Sequence, residues 1–202
     1  NNALVGNGVS MVTLCYLRRF LHFFKKVLAA SDMERVGISN ELVVFYKNVV
    51  QTLADHQELL LGSITDKDRK AILDGLGQAG STYREHIYQQ TFRGAKQPIL
   101  LKDLSRFVDL GLRYLEHSIK ANRRADNLYH AYNLMTVEGN DKISISHLSE
   151  MLEGQVAVLS SGYMASKEAL AVLDGLKNSK LFREDQYSYL LYPNKDLPGF
   201  FE

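Results

Sequence analysis

A chain of 202 residues with 46% apolar content is long enough to bury a core, which excludes a disordered protein. Its 24 basic and 23 acidic side chains leave a formal net charge of +1, so neither nucleic acid nor membrane is an expected partner. The single cysteine, Cys15, excludes an intrachain disulfide and a cysteine-rich metal site, and we expect it to be a small buried hydrophobe.

The apolar tract at residues 9–30 is interrupted by basic residues such as Arg18 and Lys25, so it is not expected to cross a bilayer. It does not have the form of a cleavable signal either. The abrupt start NNALVGNG and the apolar end LPGFFE indicate a piece excised from a longer chain. The rest of that parent chain would then be a partner of this piece. The sequence does not fix the localisation, and the cytoplasm is favoured.

Helical periodicity dominates the first half of the chain. One apolar stripe predicts a first helix, a second helix follows a polar break at residues 31–39, and a third begins with a capping box at Thr65 and Asp68. Three glycines leave a break near Gly80 as an alternative to one continuous third helix. The stripes comprise Leu14, Leu17, Leu21, Phe24 and Leu28, then Leu42, Phe45, Val49 and Leu53, then Ile72, Leu76, Ala79, Tyr83 and Ile87.

The second half predicts three more helices and two segments without helical period. A fourth helix follows the turn around Pro98 and ends at Asn122. Residues 122–145 are predicted to be a long ordered loop, with or without short extended pieces. A fifth helix is expected at residues 146–161 and a sixth is capped by Ser166. The tail at residues 181–202 predicts a strand or an extended strap, because tyrosines alternate along it.

An internal repeat sets the predicted fold class. GSITDKDRKAILDGL at residues 62–76 matches GYMASKEALAVLDGL at residues 162–176, which indicates one supersecondary unit used twice. We therefore predict an all-α fold of antiparallel helical pairs repeated about 100 residues apart, as a toroid or an open helical repeat. The chain would be a single domain, 1–202, with repeats at 9–95 and 100–195. Leu173, Leu176 and their counterparts Leu73 and Leu76 should be buried.

The densest group of polar and aromatic side chains lies in the sequence NRRADNLYHAYN at residues 122–133. Planar amides, carboxylates and guanidinium groups hold sugar hydroxyls, and a tyrosine ring packs against the apolar face of a pyranose. Alternatively, the arginines cap the fourth helix and the tyrosines cover the core. The candidate substrate-binding residues, including those in the later strap, are Arg123, Arg124, Tyr129, His130, Gln155, Arg183, Asp185 and Tyr187.

Cleavage of a glycosidic bond requires two carboxyl groups, or one carboxylic acid and a phosphate nucleophile. Asp126 and Glu153 are the candidate catalytic residues. Glu153 adjoins apolar positions and the predicted buried stripe of Gln155, which would raise its pKa, although a glutamate in such a place is also a common structural group. The sequence does not establish whether the protein is an enzyme.

Other site types are excluded by their spacing rules. The sequence EGNDKISIS at residues 138–146 places Asp141 where a calcium loop requires glycine and leads to His147 where it requires glutamate. The histidines are not spaced as zinc ligands, and neither a phosphate-binding glycine loop nor a nucleophile motif is present. We therefore expect no metal and no cofactor.

The sequence MLEGQVAVLSSGYMASKEALAVLDGLKNS at residues 151–179 resembles the inner helix, turn and outer helix of carbohydrate-active (α/α) toroids, particularly glycoside phosphorylases of the cellobiose phosphorylase type. The loop at residues 122–133 is similar to their catalytic loop. The resemblance implies a saccharide-binding or saccharide-processing part of a helical toroid, although the tryptophan platforms of that family are absent. The alternative is a non-catalytic helical-repeat module that packs against another domain or protein.

Overall fold

The structure, a computed structural model, describes residues 6–89, 94–194 and 199. They form six α-helices, a short 3-10 helix and seven strands. In chain order the elements are β1 (Gly8–Ser10), α1 (Met11–Ala29), β2 (Arg35–Ser39), α2 (Asn40–Asp55), the 3-10 helix (Gln57–Leu61), α3 (Asp66–Gln89), β3 (Lys96–Leu100), α4 (Leu101–Ala121), β4 (Tyr132–Glu138), β5 (Lys142–His147), α5 (Leu152–Ser160), α6 (Ser166–Lys177), β6 (Phe182–Arg183) and β7 (Ser188–Tyr189).

The fold is mixed α and β, so the all-α prediction is wrong, and with it the toroid or helical repeat. The strands form three antiparallel sheets with the orders β1-β4-β5, β2-β3 and β6-β7. Most of these strands lie in segments that were predicted to be breaks, turns or loops between helices. The polar break at residues 31–39 contains β2, which pairs with β3 in the predicted turn around Pro98, with Val36 opposite Ile99.

The predicted long loop at residues 122–145 contains most of the β4-β5 hairpin. After Gly139, which has a φ of +60°, Ile143 and Ile145 of β5 alternate with serines. A glycine adopts this left-handed conformation without steric cost, and hairpin turns require it. The predicted fifth helix begins six positions later than expected, at Leu152, because residues 146 and 147 complete β5.

The predicted strap at residues 181–202 is a short hairpin of β6 and β7, followed by residues without regular structure. Residues 195–198 and 200–202 of that prediction lie outside the described residues. By contrast, the third helix is continuous through its three glycines, which is one of the two alternatives that the sequence left open. Its predicted capping box forms, with Asp68 N–H donating to Thr65 Oγ1 at 3.2 Å.

The chain divides into two compact units. The first comprises the described residues of Asn1–Arg19, Ser118–Met135 and Ile145–Glu202, and the second comprises those of Phe20–His117 and Thr136–Ser144. The single domain and its repeat boundaries stay predictions.

The first unit has a compact apolar core. Two glycines allow the loop after α4 to lie against the helices: a Cβ on Gly154 would meet the Ala131 Cβ at 2.8 Å, and one on Gly175 would meet the Asp126 carbonyl oxygen at 2.7 Å. Cys15 lies in this core as expected, and burial raises the pKa of its thiol to about 11. The core comprises Cys15, Ile119, Leu128, Tyr129, Ala157, Val158, Val172, Leu176 and Leu181.

The second unit has fewer fully buried side chains. Helices α2 and α3 pack closely, with Phe45 and Tyr83 ring centroids 5.2 Å apart. Tyr114 Oη donates to the Leu53 carbonyl oxygen at 2.7 Å. However, Ala79 is the one buried residue of the described 24-residue helix α3. In α1, all buried residues precede Phe20. Several apolar side chains of this unit are therefore left at its surface.

The internal sequence match does not produce equivalent structure. Both Ala-x-Leu-Asp-Gly-Leu segments are helical, in α3 and α6. However, Gly62 is extended, with a φ of −141°, whereas Gly162 is left-handed, with a φ of +71°. Leu176 is buried as predicted and Leu76 is half-buried, but Leu73 and Leu173 are 42% and 50% exposed, so the predicted burial of Leu73 and Leu173 is wrong. The match reflects similar helical sequences in different packing environments.

Candidate functional site

The loop at residues 122–133 lies in the first unit and is organised by Arg124. Its guanidinium group contacts Asp126 at 2.8 Å and Glu150 at 3.3 Å. The hydrogen bond from Arg124 lowers the pKa of Asp126, which also accepts the Leu128 N–H at 3.1 Å. Near neutral pH, Asp126 is therefore a carboxylate and an acceptor, whereas a general acid must hold a proton. Arg123 donates to Asn127 Oδ1 at 2.8 Å.

Tyr129 and Gln155 are buried together beneath this loop. The Gln155 amide accepts the Tyr129 N–H at 2.8 Å and donates to the Tyr129 carbonyl oxygen at 2.7 Å. It also donates to the Met151 carbonyl oxygen at 3.0 Å. The side chain of Gln155 thus completes backbone hydrogen bonds that the irregular loop cannot make within itself. The Tyr129 ring belongs to the apolar core.

His130 stacks on His147, with ring centroids 4.0 Å apart and ring planes 8° from parallel. His147 Nδ1 contacts Asn133 Oδ1 at 2.8 Å, and Asn133 donates to Asn122 Oδ1 at 2.7 Å. Burial lowers the pKa of His130, and the neighbouring His147 and Arg124 lower it further. This network joins the loop to β4 and β5.

The second candidate carboxylate, Glu153, lies half-buried in the first turn of α5, close to the Tyr132 hydroxyl. Burial raises the pKa of Tyr132, and the Glu153 carboxylate raises it further. Glu153 is not among the described residues that line the open basin beside Asp126. That basin has a volume of about 420 Å³, and its lining includes Asp126, Asn127, Glu150, Asp174, Asn178 and Lys180.

The strap residues form a separate polar group. Arg183 pairs with Asp185 in two contacts of 3.0 and 2.5 Å on the β6-β7 hairpin. Hydrogen bonding by Arg183 lowers the pKa of Asp185, so this carboxylate is also ionised near neutral pH. Tyr187 is 76% exposed and has a φ of +48°, and Lys177 Nζ lies 5.2 Å from its ring centroid. These residues do not line the basin beside Asp126.

Residues 6–89, 94–194 and 199 show neither a clustered metal site nor a membrane-spanning helix. These residues contain no group of three or more histidine, cysteine, aspartate or glutamate side chains that could hold a metal ion. Nor do they include a helix with both the length and the apolar content that a membrane span requires.

Among the described helices, α1 has the most large apolar side chains that are exposed. We define the α1 seam as Tyr16, Phe20, Phe23 and Val27, which are 46%, 55%, 61% and 45% exposed. They are spaced four, three and four residues apart, the heptad spacing of a helix that packs against another helix. Within the second unit, α4 packs on a different side of α1, where Lys25 Nζ lies 2.6 Å from Asp109.

The sequence matches no protein-family model, and no curated protein matches it. The resemblance to glycoside phosphorylases therefore stays a prediction that rests on the residues quoted above.

Sequence reasoning missed the α1 seam because it chose a neighbouring stripe for burial. In the predicted stripe, Leu14, Leu21, Phe24 and Leu28 are half-buried, but Leu17 is exposed. The sequence does contain a signal for the seam, because the apolar residues of α1 cover two adjoining stripes of the helix and not one. A helix with apolar residues on two adjoining stripes buries more than one face when all its partners are present.

Proposed function

We propose that this chain is an interaction module that binds a helix of another protein or domain through the α1 seam. The observation that carries the proposal is the exposure of two phenylalanines one turn apart, Phe20 and Phe23, in heptad register with Tyr16 and Val27. Contiguous apolar surface of this kind marks interaction sites, and aromatic residues dominate the energetics of interfaces.

The packing around the loop at residues 122–133 also supports an interaction module over a saccharide-processing enzyme. Tyr129 and Gln155 are engaged in the core, and Asp126 is held by Arg124. Arg183 and Asp185 pair with one another on their own hairpin. These side chains have structural partners already, whereas the α1 seam has apolar area that packing would remove from water.

A neutral helical peptide tests the proposal. The probe is a fluorescently labelled three-heptad peptide with leucine at every a and d position and glutamine at every e and g position, added at trace concentration. We expect it to bind the chain, and we expect the double variant Phe20→Ser/Phe23→Ser to abolish binding, as measured by fluorescence anisotropy. Because both rings are more than half exposed, the free energy of unfolding should change by less than about 1 kcal/mol.

The matched control is Leu170→Ser/Leu173→Ser, which removes two exposed apolar side chains from α6. This variant should bind the peptide like the parent chain. Equal loss of binding in both variants, or no binding by the parent chain, would contradict the proposal.

Saccharide binding is the second candidate function, favoured by the carboxylates, amides and lysine around the basin beside Asp126. Such groups are those that hold sugar hydroxyls. Titration of the ¹⁵N-labelled chain with cellobiose tests it: shifts confined to Asp126, Asn127 and Asn178 would support a saccharide site there, and unmoved resonances would reject it for this sugar.

A further inference from the structure

We infer that the helix bound by the α1 seam carries carboxylates along one edge of its own apolar seam, where they pair with Arg19 and Lys26. This inference rests on the proposed function and specifies the chemistry of the partner.

Arg19 and Lys26 lie along the same edge of the α1 seam. They are seven residues apart, and each immediately precedes a seam residue, Phe20 or Val27. In heptad terms they occupy successive g positions, which face charged side chains of the partner helix in a coiled coil. A partner with carboxylates at the facing positions would contact both cations in one register.

Both cations are exposed, and neither has an ion-pair partner among the residues that the structure describes. The other two long basic side chains nearby are engaged in the fold. Arg18 is buried and donates to the Ser161 carbonyl oxygen at 2.9 Å, and Lys25 pairs with Asp109. The fold thus uses the cations on one side of α1 and leaves those beside the seam to solvent.

A second copy of α1 does not supply the missing charge. The helix sequence MVTLCYLRRFLHFFKKVLA contains no carboxylate. An antiparallel pair would bring g positions together and oppose Arg19 and Lys26 of the two copies, which is repulsive. A parallel pair would place Arg19 against the apolar e position Phe24 and Lys26 against Ser31, beyond the end of α1, so neither cation would meet a carboxylate of the other helix. Charge complementarity therefore favours a different, acidic helix.

An anionic membrane is a weaker match to the same surface. Helices that lie in a membrane interface carry cations across their whole polar face. On α1 the exposed cations outside the described ion pairs, Arg19 and Lys26, border one edge of the seam, while Leu17 and Phe24 border the other. Lys25 is also exposed, but it pairs with Asp109. The heptad spacing also suits a helix rather than a fluid surface.

The contact is short, which sets its expected strength. At 1.5 Å per residue, the α1 seam is about 17 Å long, or nearly two heptads. An interface of this length lies at the lower end of the size range, where complexes are weak or transient. In such a weak complex, two exposed charge pairs change the affinity by a measurable amount, and they affect the choice between partners more strongly than the affinity itself.

The test compares three labelled peptides that differ only at their e and g positions, which are glutamate, glutamine or lysine. We expect the glutamate peptide to bind about three- to tenfold more tightly than the glutamine peptide, and the lysine peptide to bind most weakly. Raising the salt from about 0.05 M to about 0.5 M should shrink these differences.

The double variant Arg19→Gln/Lys26→Gln should bind the glutamate and glutamine peptides equally, with affinity for the glutamine peptide unchanged. The matched control Lys67→Gln/Lys102→Gln, exposed on α3 and α4, should retain the parent selectivity. Equal binding of all three peptides by the parent chain would overturn the inference and leave the proposed function standing.

Two other outcomes also overturn the inference. If no peptide binds but vesicles of phosphatidylcholine with about one quarter phosphatidylserine do, and Phe20→Ser/Phe23→Ser abolishes that binding, the seam is a membrane surface. If sedimentation shows a concentration-dependent dimer that the same variant dissociates, the occupant is a second copy. Absence of peptide binding in either case contradicts the proposed function as well.

Discussion

At the residue scale, burial decides what each polar side chain near residues 122–133 can do. Gln155 was predicted on a buried stripe, and its full burial confirms that. Tyr129 belongs to the core, as the alternative interpretation of the loop's tyrosines proposed. The sequence could not separate these roles from ligand binding, because a sugar site and a satisfied buried network use the same residue types. Only the partners of each side chain distinguish them.

His130 gives the stability of the fold a pH dependence. The pKa of His130 is lowered in the folded state, so the fold favours the neutral ring, which faces His147, Arg124, Asp126 and the Leu148 carbonyl oxygen. The unfolded chain then binds more protons than the folded one. The contribution of neutral His130 to the free energy of unfolding is complete above the unfolded pKa of about 6.5, and it is lost as the pH falls through the lower pKa of the folded state.

We therefore expect the free energy of unfolding, measured by urea denaturation, to fall between about pH 7.5 and pH 5. The variant His130→Gln should show a shallower fall, whereas His22→Gln, at an exposed position on α1, should keep the parent profile. A pH profile that is the same in His130→Gln and the parent chain would assign the dependence to other groups.

At the element scale, the packing of α5 and α6 depends on close backbone approach. Gly154 and Gly175 each lie where a side chain would overlap the loop between α4 and β4. Gly77 is also a glycine within a helix, α3, but no neighbouring atom lies within 4 Å of a Cβ added there. The three glycines look alike in sequence, and only tertiary contacts distinguish a required glycine from a tolerated one.

This difference predicts opposite effects of the same substitution. Gly154→Ala should lower the free energy of unfolding by about 1–3 kcal/mol, because its Cβ would press on Ala131. Gly77→Ala should raise it by about 0.5–1 kcal/mol, since alanine favours the helix and nothing obstructs it. Urea denaturation followed by circular dichroism measures both, and changes of the same sign would refute the packing argument.

The strands before the predicted strap at residues 181–202 were the elements that sequence reasoning could not place. β2 and β3 pair Gly37 with Pro98 across a long separation in the chain, and both residues normally indicate a turn. Their pairing depends on contacts that no local period reports. The β4-β5 hairpin had a local signal, the alternation of isoleucine and serine after Gly139, which was outweighed by the polar and aromatic residues before that glycine.

At the scale of the whole molecule, the near-neutral net charge conceals an uneven distribution. Helix α1 has four arginines and lysines and no carboxylate, and acidic residues elsewhere balance it in the total of +1. Arguments from net charge alone therefore could not identify the electrostatics of α1. The helical segments were largely predicted because their period is local, whereas exposure of the α1 seam depends on which helix faces find partners.

Burial of Cys15 has a consequence for following the motions of the first unit. The thiol is the only sulfhydryl of the sequence, and its high pKa keeps it protonated as well as covered. Alkylating reagents attack the thiolate, so each modification event must wait for the core to open. The rate at which such a reagent alkylates Cys15 in the otherwise unmodified chain therefore measures how often the core opens spontaneously, and no added probe is needed.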